Sequence, residues 1–456
     1  MRMRLRRICW VPGLAIALAL ANAQGDATAG KIALPPPVPY LNAREDFFMG
    51  NGYAGAGGPG DGSWNFLVGP DYTCPNYLRR EEIRLVVDGA EQKLRMDVHR
   101  ARKTGVFYGT SANGDLKITL VDYALMGQPC VARFIQIENL SGRQKHAVSV
   151  RAYIQPITGP GRSHEISGLI NNKRHWLQLK LDSSLKCCEG RYCQNWSDRY
   201  ATIFFDKAVN TVTRANGGCV FTTAPETMAP HACSDCVLYH YMDYTNFGGV
   251  SWLEKHEPQD PAQDLAQCIA GWRKWFDGVA PKYSLDQIKD ARARDLVEGG
   301  LATIKMNECR DGGIVANERG WDMSYVRDAY CGLRALTAFG HFDESRRFIQ
   351  WLDKQYRAHG LIPDAGPGGS LIYAHPNGNN GRVCPEANAV VEVTALCILA
   401  ARDYYQGTHD LRALARADDS LSYSLDAQLK YAMTNQDRLE FSGDETELCG
   451  ASDVAG

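Results

Sequence analysis

DGGIVANERGWDMSYVRD, from Asp311 to Asp328, is the stretch from which the chain is best read. A Gly-Gly turn leads into a short apolar run, Ile314 to Ala316, and then into a polar loop, Asn317 to Gly320. Trp321, Asp322, Tyr325, Arg327 and Asp328 then crowd together at what the pattern predicts is the start of a helix. Acids, an arginine and aromatics at such a junction are costly to bury unless they pair with each other or bind something polar. An aromatic face beside planar, bidentate hydrogen-bonding groups suits a polyhydroxylated ring. An Arg–Asp pair that only locks helices together fits the same residues.

Outward from this stretch the periodicity changes. From Glu82 to about Phe247 apolar residues recur mostly every second position. Ile83–Val87 is stopped by Asp88-Gly89, and Leu116–Tyr123 follows Asn113-Gly114. Val131–Glu138 and His146–Ile154 flank Ser141-Gly142, which predicts a hairpin. Trp176–Leu181, Tyr200–Phe205 and Cys236–Tyr244 continue the series, and many strands at short spacing argue a large antiparallel sandwich. The glycine-rich run Met49–Asp61 predicts tight turns between short strands and matches no phosphate or dinucleotide loop.

After Pro261 the period becomes helical. Leu265, Cys268, Ile269, Trp272 and Phe276 share one face. Ser284-Leu-Asp-Gln287 is a capping box expected to open a helix running to about Asn307. Further helices are expected up to Phe339, over Asp343–Ala358, over Glu386–Tyr405, and over Leu411 to about Thr434 as one broken or two shorter segments. The long loop Leu361–Pro385 is uncommon unless it serves binding. Cys397 reads as a small core residue of its helix.

The N-terminus predicts an export signal over residues 1–23, with a basic MRMRLRR, an apolar Ile8–Leu20 and the small-x-small Ala21-Asn22-Ala23. The apolar run is too short for a comfortable membrane span, and none of spanning length follows. With 15 Cys, of which Cys9 would leave with the signal, an even number remains. Cys187, Cys188, Cys193, Cys219, Cys233 and Cys236 cluster, so disulfides are expected there. The alternative is a zinc site on the Cys233-x-x-Cys236 spacing, with irregularly placed partners. Lys plus Arg is 50 against 52 Asp plus Glu, and this balance gives no electrostatic reason to expect nucleic acid. No cofactor motif is present, and the oligomeric state is not readable.

On these residues the chain resembles the glucoamylase-type inverting glycoside hydrolases, the six-hairpin glycosidases that include glucoamylases, trehalases and dextran glucosidases. Gly50-Asn-Gly-Tyr53, Asp61-Gly-Ser-Trp64, Asp311-Gly-Gly-Ile314 and Trp321-Asp-Met-Ser-Tyr-Val-Arg-Asp328 carry the resemblance, which spans most of residues 45–450. It implies a multidomain β + α chain. Residues 24–44 would be a linker, 45–258 an antiparallel β-supersandwich, 259–283 a linker helix, and 284–456 an (α/α)6-barrel domain of helical hairpins. About half of that barrel's helices can be counted, so it is expected to be incomplete. Glycoside phosphorylases of the maltose and kojibiose type are similar in layout and share a similar Gly-Asn-Gly-Tyr start.

The resemblance also implies roles. Arg327 and Asp328 would grip hydroxyls of a sugar, with Trp321, Asp322 and Tyr325 completing the floor. Glu445 stands at the family's spacing for the general acid, with Glu447 as the fallback. The flanking Asp444-Glu445 departs from the glucoamylases' usual Trp-Glu and looks more like the phosphorylases. Glu386 reads more simply as a favourable charge at a helix start. Inversion needs a second carboxylate as base, which the resemblance places beyond Gly456. The expected activity is cleavage of α-linked glucosides or oligosaccharides, with no cofactor or metal. A phosphorylase and a non-catalytic carbohydrate-binding protein are the alternatives, and a purely structural exported protein is a further one.

Overall fold

The computed structural model describes residues 33–38, 46–72, 76–157, 162–170, 174–181, 199–215, 217–255, 261–279, 283–315, 323–360, 362, 365–367 and 389–434. The export signal expected at the N-terminus lies outside them, as do Cys187, Cys188 and Cys193 and the whole of residues 435–456.

The alternating sequence builds two large antiparallel sheets. The nine-stranded one runs, edge to edge, Pro37–Val38, His99–Ala101, Phe107–Asn113, Leu116–Ala124, Cys130–Asn139, Cys233–Asp243, Arg199–Phe205, Arg174–Leu181 and Arg162–Ile170. The six-stranded one contains Val209–Ala215, Gly218–Thr223, His146–Pro156, Leu78–Val87 and Ala90–Lys93, with Glu226–Met228 added beside His146–Pro156. Asp88 and Gly89, both at positive φ, make the tight turn into Ala90–Lys93. A small sheet of Phe47–Gly50, Gly55–Gly58 and Phe66–Val68 accounts for the glycine-rich run.

The expected hairpin across Ser141-Gly142 is corrected by the structure. Its two strands lie in different sheets: Cys130–Asn139 pairs with Leu116–Ala124 and Cys233–Asp243, and His146–Pro156 pairs with Leu78–Val87. The connection crosses between layers instead. Ser141 Oγ accepts from the Gln144 amide at 3.0 Å, and Asn139 Nδ2 donates to the Gln144 carbonyl at 2.9 Å. These side chains replace the ladder bonds that a two-residue turn would have kept.

Strands such as Leu116–Ala124 and Cys130–Asn139 are buried on both faces. Helices α1 (Gly248–Lys255) and α2 (Pro261–Asp277) pack on the nine-stranded sheet and explain that. Leu265, Cys268, Ile269 and Trp272 of α2 join the sandwich core. Between the sheets sits a charged network with no solvent exposure. Arg133 pairs with Glu81 at 3.3 Å and with Asp122 at 2.9 Å, and lies 4.4 Å over the Trp64 ring. His240 meets Glu81 at 2.6 Å, and Trp64 Nε1 donates to Asp122 at 3.0 Å. Burial alone would raise the Glu81 carboxyl, but His240 and Arg133 hold it below its usual range.

The second half is helical. The capping box at Ser284 is formed, but it caps only a short 3-10 turn, Leu285–Gln287; Asp290 then caps a separate α3 (Ala291–Met306). The series continues with α4 (Val326–Ala338), α5 (Phe342–His359), α6 (Ala389–Thr408), α7 (Leu411–Leu414) and α8 (Asp418–Thr434), α7 and α8 being the two pieces of a broken segment. Gly360 ends α5 in the left-handed conformation. α6 packs on α4, α5 and α8 around Val326, Leu333, Phe348, Leu352, Val393 and Leu396. Closure into an (α/α)6 ring would take more hairpins than the described residues supply.

The expected disulfides are also corrected where the chain is described: no disulfide joins two described cysteines. Cys130, Cys236, Cys268, Cys309 and Cys397 are buried, and burial pushes their thiols up, to about 12 for Cys268 and about 11 for Cys397. They behave as small apolar groups rather than as cross-links. Among the described residues no group of three or more side chains has metal-ligand geometry, and no helix is long and apolar enough to cross a membrane.

Candidate functional site

The Asp311 stretch is held at the junction between sandwich and helices. Its upstream end, Asn307–Gly313, lies against the Gly-Asn-Gly-Tyr turn of the β domain. Gly52 has φ +87, and a Cβ there would come within 2.8 Å of the Glu308 carbonyl, so only glycine fits. The Arg310 amide donates to the Gly52 carbonyl at 3.3 Å. The Gly52 amide donates to Tyr72 Oη at 2.8 Å, and that hydroxyl donates to the Met306 carbonyl at 2.6 Å. Asn51 accepts from the amides of Tyr53 and Ala54, each at 3.0 Å, and donates to the carbonyl of Gln128 at 2.7 Å. Lower down, Arg100 pairs with Glu298 at 3.0 Å and Arg102 with Asp295 at 2.7 Å, joining the β domain to α3.

α5 closes the other side at helical spacing. Glu344 pairs with Lys305 at 2.6 Å, Arg347 pairs with Glu308, Trp351 lies over Gly313, and Lys354 approaches Asp311 at 3.8 Å. Lys305 also meets Glu308 at 2.7 Å. Burial raises the Glu308 carboxyl and repulsion from Glu344 adds to this, against the pull of Lys305 and Arg347. With both oxygens held by cations, Glu308 serves to fix the loop. His341, stacked 3.8 Å from the Trp275 ring, is pushed down to about 4 by burial.

Beyond the loop, Met323–Tyr325 forms a short strand paired with Ala365–Pro367. This brings Ala365–Pro367, which with Ile362 are the described residues of the 361–385 loop, beside the start of α4. Tyr325 is the N-cap residue of α4 in an extended conformation. Arg327 is half-buried and Asp328 is exposed in the first helical turn, where its charge favours the helix dipole. The expected cluster is therefore found at the start of a helix for Tyr325, Arg327 and Asp328. Trp321, Asp322, Glu386, Glu445 and Glu447 lie outside the described residues.

Sequence reading missed the residues that hold this junction: Tyr72, Lys305, Glu308, Arg310, Glu344 and Arg347. The density of charge in Asn307-Glu-Cys-Arg-Asp311 was the available signal, but its partners are far away in sequence.

No family model matches the sequence, and no curated protein matches it. Solved structures do resemble the fold. A bacterial glucoamylase complexed with acarbose aligns with a TM-score of 0.53 at 10% identity, covering 88% of this chain and 68% of that one. A protein assigned as a kojibiose phosphorylase from the human microbiome aligns with a TM-score of 0.53 at 10% identity, covering 90% of this chain and 66% of that one. The chain thus spans about two thirds of the length of each structure it resembles. These likenesses establish a shared fold, a large β-sheet region followed by helices.

Proposed function

We propose that the protein is a carbohydrate-active enzyme that cleaves α-linked glucosides or oligosaccharides with inversion. The observation that carries this reading is the placement of Tyr325, Arg327 and Asp328. They sit at the start of α4, next to a loop pinned against the β domain, in a fold shared with a glucoamylase that was solved with acarbose. In this reading Arg327 offers its planar fork and Asp328 its two acceptor oxygens to vicinal hydroxyls, while Tyr325 supplies an apolar face. Trp321 and Asp322 extend the floor. Glu445, or Glu447 in its place, donates a proton to the leaving oxygen, and a second carboxylate activates water about 6.5–9.5 Å away on the opposite face. The acid has to be protonated near neutral pH, which requires a pocket that raises its pKa. Export to the periplasm or medium, inferred from residues 1–23, belongs to the same proposal.

The kojibiose phosphorylase match has the same TM-score, 0.53, as the glucoamylase match, and this keeps phosphorolysis as a second reading. Incubation with maltose and with kojibiose, with and without inorganic phosphate, separates the two. Free glucose of inverted configuration, independent of phosphate, supports hydrolysis. A sugar phosphate formed only when phosphate is added supports phosphorolysis. Failure to bind or turn over any α-glucoside would count against both.

A further inference from the structure

Arg310, in the loop that follows α3, has no acidic partner among the described residues, unlike the cations of α3 and α5 around that loop. Lys305 has Glu308 and Glu344, Arg347 has Glu308, and Lys354 has Asp311. Arg310 instead lies over the ring of Tyr53, 5.5 Å from its centroid. Both residues are half-buried, and neither the guanidinium nor the Tyr53 hydroxyl makes a hydrogen bond to the described protein. A guanidinium remains charged at any working pH, so partial burial without a counter-charge is unfavourable.

The backbones of both residues are held in place. The Arg310 amide is tied to Gly52 at 3.3 Å, and the Gly312 amide donates to Cys309 at 3.0 Å to close the turn around it. The Tyr53 amide is tied to Asn51 at 3.0 Å, and Asn51 is anchored on Gln128 at 2.7 Å. The guanidinium carbon lies 5.5 Å from the ring centroid, and the N–H groups make no hydrogen bond to the described protein and can meet an acceptor. A fixed planar fork with a neighbouring phenol donor matches the geometry of a tetrahedral or planar oxyanion. Pre-ordering of both backbones lowers the entropy cost of binding.

We propose that Arg310 and Tyr53 form an oxyanion-binding site at the junction of the two domains, taking either free inorganic phosphate or the carboxylate of an acidic sugar. The site stands apart from the sugar-gripping role given to Arg327. Which oxyanion it takes bears on the choice between hydrolysis and phosphorolysis.

Titration calorimetry at low ionic strength, with inorganic phosphate, glucuronate and glucose as separate probes, tests it. The unmodified protein is expected to bind phosphate or glucuronate, and whichever one binds identifies the source. Arg310→Gln should weaken that binding at least about tenfold, and Arg310→Lys should fall between, because it keeps the charge and loses the fork. Tyr53→Leu should weaken it as well, which supplies a second variant should Arg310→Gln not fold. Arg327→Ala should leave phosphate binding unchanged, and any Arg310-dependent binding of the glucuronate carboxylate in place, while losing neutral sugar, so the two assignments fail separately. Absence of binding by both oxyanions, or equal binding in wild type and Arg310→Gln, would overturn the proposal.

Discussion

The hydroxyl of Tyr72, on the β domain, donates to the carbonyl of Met306, the last residue of α3, at 2.6 Å. The same oxygen accepts from the Gly52 amide at 2.8 Å. One buried phenol thus fixes the Gly-Asn-Gly-Tyr turn against the helix that precedes the Asp311 stretch. Tyr72→Phe keeps the ring and leaves two buried backbone groups without a partner, at about 1–3 kcal/mol each. The expected outcome is a loss of about 2 kcal/mol or more in chemical denaturation. A neutral result would show that the junction does not depend on this bond.

A second prediction concerns Gly313. A Cβ at this position would come within 2.5 Å of Ser324 Oγ and 3.0 Å of Trp351 Nε1. Ser324 and Trp351 are buried, and among the described residues neither of these polar atoms has a hydrogen-bond partner. Gly313→Ala is expected to cost about 1–3 kcal/mol through overpacking and to displace the strand that leads to Tyr325. Melting temperature and affinity for an α-glucoside should fall together. Unchanged values in both would refute the coupling of Gly313 to the site.

His341 makes stability depend on pH. Its folded pKa is lowered from 6.5 to about 4, chiefly by burial, with Glu344 pulling it up and Lys305 pushing it down. The unfolded chain therefore binds more protons between these values, and the contribution of neutral His341 is lost as pH falls from about 6.5 towards 4, up to about 3 kcal/mol. Asp206 acts in the opposite sense. Burial raises its carboxyl from 3.8 to about 6, so its protonated-state advantage is full below pH 3.8 and lost as pH rises through 6. The overlap makes the wild-type profile ambiguous. The difference between wild type and His341→Gln isolates the histidine and should shrink on acidification from pH 6.5 to 4. A difference that stays flat over that range would show that His341 does not titrate in this way.

The network between the sheets gives a fourth prediction. Removing Glu81 leaves His240 Nε2 without its buried acceptor and Arg133 with Asp122 as its remaining counter-charge, and breaking a buried ionic network in this way typically costs about 3–5 kcal/mol. Glu81→Ala should unfold at clearly lower denaturant than Glu81→Gln, which keeps an acceptor for one of the two partners. Equal midpoints for both variants would mean that the lost volume, not the lost acceptor, sets the cost.

The sequence was most legible where local chemistry decides the structure. Alternation located Ile83–Val87, the second half of the strand Leu78–Val87, and the helical face Leu265-Cys268-Ile269-Trp272 located α2, because each period reports a buried face directly. Gly340 and Gly360 marked the ends of α4 and α5 through their positive φ. What was not legible is set by distant contacts. Ser141-Gly142 looks like a hairpin turn, yet its strands find partners in different sheets. The clustered cysteines suggested cross-links, but Cys236 is packed in an apolar core. Arg327 and Asp328 stood out as an unusual pair at a helix start, whereas Arg310 gained its meaning only once Tyr53, remote in sequence, was placed beneath it.

Calorimetric titration of an α-glucoside such as maltose into the protein and into Arg327→Ala tests the central claim most directly. The account predicts saturable binding to the unmodified protein and loss of measurable affinity in the variant, with the melting temperature preserved, because two fixed hydrogen bonds to the sugar are removed. Equal affinity in the two proteins would contradict the assignment of this site to carbohydrate.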